Sequence, residues 1–538
     1  MIDKLLTEPF LQFPTENSIR VVWFTEFAGT EHRVRYGEQL ENLSIAATRK
    51  LSRTREDRDS AIDPVPETVI DRDIWRHEAV INDLRQGERI PYQVTSFQED
   101  KEIPSDIYLL SPTPKTGTPV KILLTSDHQL KPMTAANLQK VVETIGRVDA
   151  VFHAGDLVNV ADRASEWFDD NRGGAFFPCL QGRANYLLEK NGTRTIYRGG
   201  EILQNAPIFP AIGNHEVMGR FSTSRGLNEQ FEDAIPRSIA RKFAADPEAI
   251  DERWYRDHAF NTETYEEIFS LPHPKYYAIT FGDIRLIVLY VTNIWRFPNL
   301  EPGDRGRYSE NSEDLNAPER WGYGQHIFES IEKDSSQYRW LERELQREEY
   351  KQAKFKIVMF HHPPHTLGGN IVPPYTDPVA TIRTDETGKI LSVRYDYPKE
   401  KDYIIRDLIP LLEAAGAHFV FYGHSHLWNR FASSSGLNFL ESSNVGNSYG
   451  AHLGDKKRPV PKDKNYAAVG NPNGLDPIVP NLAPLTDWMN RSLPYIASND
   501  ITVFSILDTG TGTVSSYRFD TRFPDSEVIK FDEFLIDN

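Results

Sequence analysis

Five short stretches of this 538-residue chain bring together side chains that can do chemistry, and all five occur in the same setting. The apolar run "KILLTS" ends in Asp127-His128-Gln129, "AVFHA" in Gly155-Asp156, and "IFPAI" in Gly213-Asn214-His215-Glu216. "KIVMF" ends in His361-His362-Pro363-Pro364-His365, and "FVFY" in Gly423-His424-Ser425-His426. Carboxylate and neutral imidazole are the usual protein ligands of divalent transition metals, and an Asn amide can add a carbonyl oxygen. Any one of these stretches alone reads as an ordinary polar cap. Five in succession point to one shared metal-binding edge, because ligands of open α/β sheets gather outside the carboxyl ends of the strands.

The elements that must carry these tips are legible around them. "VKILLTS", "VDAVFHAGDL" and "APIFPAIGNHEV" are continuous apolar runs, as expected of strands buried on both faces. "TAANLQKVVETIG", "QYRWLERELQREEYKQA" and "YIIRDLIPLLEAAG" have helical spacing. Residues 276–291 read as two strands turning at Gly282-Asp283, and "GLNFLESS", "ITVFSILDT" and "TVSSYRFDT" add strands towards the C-terminus. Alternating strands and helices predict an α/β core. Ahead of it, "SIRVVWFTEF", "RVRYG", "HEAVINDL", "IPYQVTSF" and "SDIYLLSP" predict a small all-β sandwich. The charged segment "RKLSRTREDRDSAIDPVPETV" between them reads as an exposed loop, and the proline-rich 111–119 as a linker. The expected organisation is a β-sandwich over 1–115, a core domain over 118–432 with long loop insertions, and strands in 433–538 that complete the core around an insertion at about 450–495.

Composition narrows the function classes. Cys179 is the only cysteine, so no intrachain disulfide can form, which favours a reducing compartment. The opening "MIDKLLTEPFLQFPTENS" has no signal-peptide pattern; a cytoplasmic location is expected, or a secreted one had a leader been removed. No apolar run approaches the length of a membrane span. A net charge of −17 argues against nucleic acid or an anionic membrane as the main partner. It leaves a small anionic substrate open, because a site can be locally positive. Oligomeric state is not legible.

In this order, D-x-(H/Q), G-D-x-x, G-N-H-(E/D), H-x-P and G-H-x-H over residues 127–426 resemble the motifs of the calcineurin-like metallophosphoesterase superfamily. The N-terminal strands resemble the fibronectin-type module that precedes the catalytic domain of purple acid phosphatases, and the helix from Gln337 to Leu345 resembles one of theirs. The resemblance implies an α/β fold of four αββα layers, a double β-sandwich with two metal ions at its edge, preceded by a small all-β fibronectin-type sandwich. It also implies the ligands. Metal one would take Asp127, the residue at 129, Asp156 and His426; metal two would take Asp156, Asn214, His361 and His424. Asp156 would bridge the pair.

Residues i and i+2 of extended backbone face the same way, so Asp127 and Gln129 would share a side opposite His128, as His424 and His426 would opposite Ser425. The family usually has His at the second position, with a Gln variant among its relatives, and Gln129 is favoured here over His128. Its neutral oxygen is harder than imidazole, which tilts the metals towards Mn²⁺ or Fe²⁺, with Zn²⁺ and Mg²⁺ as alternatives. Asn159 stands where purple acid phosphatases have a Tyr ligand, so their colour is not expected. In related serine/threonine phosphatases this position orients the His of G-N-H, a bond the Asn159 side-chain carbonyl could accept.

Two cations lower the pKa of a bridging water and give hydroxide near neutral pH. That hydroxide would attack phosphorus in line while His215 protonates the leaving oxygen as general acid. His362 and His365 are candidate phosphate contacts, and Glu216 is assigned no role. The expected activity is binuclear-metal-dependent hydrolysis of a small phosphate ester, with a monoester favoured because of the N-terminal module. The alternatives are a phosphodiesterase or nucleotide hydrolase on the same site, or a non-catalytic interaction protein on this fold.

Overall fold

An apolar run without alternation must be covered on both sides, and the core shows how. The computed structural model describes residues 4–294, 309–368, 377–397, 399–451 and 495–536, with short backbone segments at 485–486 and 492–493; most of the expected insertion at 450–495 lies outside the described residues. Two six-stranded sheets form the core. The first runs in the order Ile208–Pro210, Ala150–His153, Lys121–Thr125, Ile501–Asp508, Thr513–Asp520, Ile529–Leu535. Its first three strands are parallel, and Lys121–Thr125 pairs antiparallel with Ile501–Asp508, so the C-terminal segment completes the sheet begun at residue 121. The second sheet runs Tyr277–Phe281, Ile284–Val288, Phe355–Met359, Phe419–Tyr422, Asn438–Ser442, Trp428–Ala432, with its middle four strands parallel.

Successive residues divide between the two faces of each strand. Ile122, Leu124 and Phe152 meet Leu286, Ile357, Met359 and Phe421 between the sheets. Their neighbours Leu123 and Val151 pack outward under Leu138 and Val141 of the helix Thr134–Ile145. On the far side, Val358 and Val420 pack under Leu341 of the helix Ser336–Leu345 and Leu412 of the helix Ile409–Ala414. The result is four αββα layers, with every apolar run covered twice. The helix expected over 403–416 divides into a wide turn at Ile404–Leu408 and the segment from Ile409, next to Pro410, which has no N–H to donate.

The N-terminal module consists of two antiparallel sheets. One runs Phe10–Gln12, Ile19–Thr25, Trp75–Ile81, Ala47–Lys50; the other runs Lys101–Pro104, Ile90–Gln98, Glu31–Tyr36, Asn42–Ile45, with Tyr108–Leu110 also on Ile90–Gln98. Val21, Trp23, Val34, Tyr92 and Val94 fill the space between them. Val22 and Phe24 point the other way and join Phe168 and Phe177 of the core domain, so this module is docked on the core through an apolar face.

Of the charged segment read as an exposed loop, the part from Leu51 to Asp57 is instead a largely buried strap, while most of 58–69 lies at the surface. Arg53, Arg55, Glu56 and Asp57 are at most 7% exposed. Arg53 pairs with Asp257 (2.7 Å) and Glu263 (2.9 Å), Arg55 with Asp162 (2.6 Å), and Asp57 with Arg163 (3.0 Å). The partners lie more than a hundred residues away, and local charge density cannot report them. Among the described residues no helix is long and apolar enough to cross a membrane.

Within the module His77 is fully buried, its ring stacked 3.5 Å from that of His32 and its nitrogens bonded to Thr25 and Thr48. Burial, then the neighbouring His32 and Arg76, pushes it down to about 2 from the ordinary 6.5. The folded-state value lies below the unfolded one, so this stability is complete above pH 6.5 and lost as the pH falls below it. The loss is about 1.4 kcal/mol per pH unit. The melting temperature should therefore fall between pH 7 and 5, with a shallower slope in His77→Asn; an unchanged slope would place the acid sensitivity elsewhere.

Candidate metal centre

The five tips meet at one edge of the double sheet. The backbone pairing of the first two strands continues past their ends, with Asp127 N–H donating to the Gly155 carbonyl and Gln129 N–H to that of Leu157, both at 3.0 Å. These tips are not extended, which corrects the alternation argument. Asp127, Gln129, Asp156, His424 and His426 have φ of 58°, 38°, 55°, 83° and 54°. The left-handed region costs a residue with a side chain about 1–2 kcal/mol, and such strain concentrates at functional sites. Two glycines permit the close approach: a Cβ at Gly213 would lie 2.2 Å from Asp156 Oδ1, and one at Gly423 would lie 2.3 Å from Asp127 Oδ2.

Two donor groups result, Asp127/Asp156/His426 and Asp156/His361/His424, in each of which one ligand atom per residue lies within 4.8 Å of the others. Asp156 belongs to both. His361 Nε2 is 3.1 Å from Asp156 Oδ2, 3.1 Å from Asn214 Oδ1 and 3.2 Å from His424 Nδ1, which is itself 2.9 Å from Asn214 Oδ1. His426 Nε2 is 3.4 Å from Asp127 Oδ1. The other nitrogens of His361 and His426 face the carbonyls of Ala154 (2.8 Å) and Asn447 (3.0 Å). Donation there fixes the tautomers and turns both Nε2 lone pairs inward. Asp127, Gln129, Asp156, Asn214, His361, His424 and His426 are at most 4% exposed.

Gln129 and His128 face opposite ways, by a backbone route other than strand alternation. The Gln129 amide nitrogen is 3.0 Å from Asp156 Oδ2, and its Oε1 is buried with no hydrogen-bond partner among the described residues. His128 turns into the core, its Nε2 bonded to Thr125 Oγ1 (2.8 Å) and its ring edge-on to His153 at 4.5 Å. The donor set fits cations. Burial opposes charge on His361, yet the adjacent Asp156 pushes it up to about 9. Burial likewise opposes charge on Asp156, yet His361 and His215 hold it below the usual carboxylate range. Carboxylate, amide and imidazole lone pairs converging out of water call for positive charge among them, and the shared Asp156 suits a pair of divalent ions.

His215 lies beside this centre with its side chain 23% exposed and Nε2 4.0 Å from Asp156 Oδ2. Its Nδ1 donates to Asn159 at 2.6 Å, but to the backbone carbonyl; the Asn159 side chain donates instead to the Gln129 carbonyl (2.9 Å). The expected bond to the Asn159 side-chain carbonyl is therefore not made, and the backbone carbonyl takes its place. Phe231 stacks on the His215 ring at 5.0 Å. Burial draws His215 below its ordinary value, with Asp156 opposing. His362 is fully buried, its ring 4.2 Å from that of His424 and its Nε2 3.3 Å from the Asn293 amide. The expectation for His365 fails. It packs against Phe431 and Phe439 on the helix side of the second sheet, 3% exposed, where burial pushes it down to about 4. "HHPPH" places three imidazoles close in sequence, but only the fold separates their faces.

Two buried carboxylates that sequence reasoning did not assign hold the tips. Glu216 accepts from the N–H groups of Asp156 (2.9 Å), Leu157 (2.7 Å) and Gly213 (2.7 Å). Glu441 accepts from Ser425 N–H (2.7 Å) and Thr366 Oγ1 (2.7 Å), joining two tips of the second sheet. Burial, then Asp156, pushes Glu216 up to about 8, and burial does the same for Glu441. The position of Glu216 beside Asn214 and His215 was a usable signal; nothing in "GLNFLESS" marks Glu441. Lys131, not assigned from the sequence, lies near the carboxylates of Asp127 and Asp156. It is half-buried, burial lowers its pKa, and those two carboxylates act on it in the opposite sense.

Equilibrium dialysis against Mn²⁺ should find two ions per chain, with Asp156→Asn weakening both. Gln129→Ala should weaken one by at least about tenfold, the scale of losses around metal ligands, while His128→Gln keeps both. The reverse pattern would move the first-tip ligand to His128.

A family profile described as calcineurin-like phosphoesterase matches residues 120–427. No curated protein matches the chain. Among solved structures, a purple acid phosphatase isolated from yellow lupin (Lupinus luteus) seeds aligns over 98% of this chain and 73% of its own, with a TM-score of 0.54 and 15% identity. GAP50, the anchor in the inner membrane complex of Plasmodium, aligns over 77% of this chain and 89% of its own, with a TM-score of 0.33 and 11% identity. The lupin likeness extends to the fold, all-β module included, and the profile spans every motif that carries the site. The chain belongs to the calcineurin-like phosphoesterase family and is a metal-dependent phosphoesterase.

Proposed function

We propose that the centre hydrolyses small phosphate monoesters, with Asp127, Gln129, Asp156 and His426 holding one divalent ion and Asp156, Asn214, His361 and His424 the other. The observation that carries this is the buried Asp156 common to both donor groups. Bound there, two cations supply Lewis-acid charge to the phosphate oxygens and lower the pKa of water for attack on phosphorus. The rest is done by the chain. With Nδ1–H committed to the Asn159 carbonyl, His215 has only Nε2 free to hold a transferable proton. That proton goes to the ester oxygen as its bond to phosphorus breaks and a water oxygen takes its place; the alcohol and phosphate leave. Lys131 supplies a cation beside the centre for the incoming phosphate. The Gln129 oxygen favours Mn²⁺ or Fe²⁺ over Zn²⁺. The monoester reading draws on the N-terminal module, which this chain has in common with the lupin phosphatase fold.

Purified protein loaded with Mn²⁺ or Fe²⁺ should turn over an aryl phosphomonoester faster than the matching diester, and Asp156→Asn should abolish both activities. A preference for the diester would move the reading to a phosphodiesterase; no turnover of either by the fully loaded protein would overturn it. Lys131→Ala should raise KM by roughly tenfold with little change in kcat, as loss of a charged contact worth about 1.5–3 kcal/mol predicts. Iron-loaded protein should have no intense visible charge-transfer band, because Asn159 offers no phenolate.

A further inference from the structure

The strap that crosses from the N-terminal module does more than glue two domains together. From Leu51 to Ser60 it runs through the interface, and from Asp57 two paths lead to the same imidazole. In the first, Asp57 Oδ1 accepts from Arg163 Nη2 (3.0 Å), and Arg163 Nη1 donates to Glu166 Oε1 (2.8 Å). Glu166 Oε2 accepts from the N–H groups of Asn159 (2.6 Å) and Val160 (3.0 Å), and the Asn159 carbonyl holds His215 Nδ1–H. In the second, Asp57 Oδ2 accepts from Leu227 N–H (2.6 Å), the first residue of the helix Leu227–Phe231, whose last residue stacks on the His215 ring. Arg163 also donates to Asn228 of that helix (3.1 Å), tying the two paths together. The neighbouring Glu56 accepts from the Ser165 N–H (2.8 Å) and hydroxyl (2.9 Å), fixing the turn that carries Arg163 and Glu166.

Asp57, Arg163 and Glu166 are 1%, 5% and 3% exposed. Buried charges are costly unless each is paired, and removing one partner strands the rest. This chain of contacts is therefore stiff, and it ends on a ring whose opposite nitrogen faces the reaction.

We propose that Asp57 of the N-terminal strap is a positioning residue for catalysis, fixing the tautomer and the plane of His215 through the Arg163–Glu166–Asn159 path and the Phe231 helix. The proposal rests on His215 as proton donor to the leaving group. A misdirected donor harms esters of poor leaving groups and spares activated ones, which need no proton. Loss of fold, metal or substrate contact harms both alike.

The test uses the full chain loaded with Mn²⁺, with phenyl phosphate and 2,4-dinitrophenyl phosphate as substrates. Asp57→Asn should lower kcat on phenyl phosphate at least about tenfold, part of the roughly 10²–10⁴ that a positioned acid contributes. Its kcat on the dinitrophenyl ester should change by less than about threefold, with bound Mn²⁺ unaltered. His215→Ala should give the same selective pattern with a larger amplitude, and the double variant should be no slower than His215→Ala, because the two changes remove one contribution. Glu166→Gln, which leaves the Asp57 contact with Leu227 in place, reads the same selectivity if Asp57→Asn does not fold. Arg53→Met breaks strap contacts that do not lead to His215 and should leave the ratio of the two rates unchanged. Equal losses on both esters in Asp57→Asn and Glu166→Gln, or additive losses in the double variant, would overturn the positioning role. A selective His215→Ala beside a non-selective Asp57→Asn would sink the strap proposal alone, whereas a non-selective His215→Ala would sink the general-acid reading beneath it.

Discussion

A buried carboxylate is unstable unless positive charge or N–H donors are held against it, and Asp156 is in that position. Its oxygens face His361, the Gln129 amide and the His215 N–H, and it belongs to both donor groups. The rest of the tip structure can be understood as what it takes to keep it there. Five of the seven candidate ligand residues accept left-handed backbone, Gly213 and Gly423 let main chain pass close to carboxylate oxygens, and Glu216 gathers the N–H groups beneath the loop.

The centre spans a seam. Asp127, Gln129, Asp156 and Asn214 follow strands of the first sheet; His361, His424 and His426 follow strands of the second. Their separation is therefore set by how the two sheets interlock. A slip of one residue along a strand is about 3.3 Å, as large as the ligand-to-ligand distances themselves. The apolar layer between the sheets, with Ile122 and Leu124 against Ile357 and Met359, prevents that slip. Packing energy in the core thus becomes positional accuracy at the edge. Glu441 adds a local brace by bonding to the loops after two second-sheet strands at once.

The N-terminal module extends the same logic outward. Its apolar face docks through Val22 and Phe24, and its charged strap enters where Arg163 and Glu166 turn the chain past Asn159. An interface built only for adhesion would not require buried charge, since apolar residues of similar volume often serve as well or better. Here the charges connect backbone groups whose placement decides where one imidazole points.

The sequence alone determined the layers and the edge. Apolar runs with no alternation, helices of 3.6 spacing between them, and polar residues wherever a run stopped are local signals, because burial on both faces constrains every residue of a strand. They placed candidate ligand residues at five strand ends; the resemblance to the metallophosphoesterase motifs is what named Asp127, Gln129, Asp156, Asn214, His361, His424 and His426 as a set. Tertiary structure alone decided which atoms meet. The strap looked solvated because its counter-charges, Asp162, Arg163 and Glu263, are distant in sequence. Asn159 acts through its carbonyl, which every residue possesses and no sequence pattern marks. His365 resembled its neighbours but faces Phe439. Periodicity reports how a segment meets water, whereas pairing between distant segments depends on how the whole chain packs.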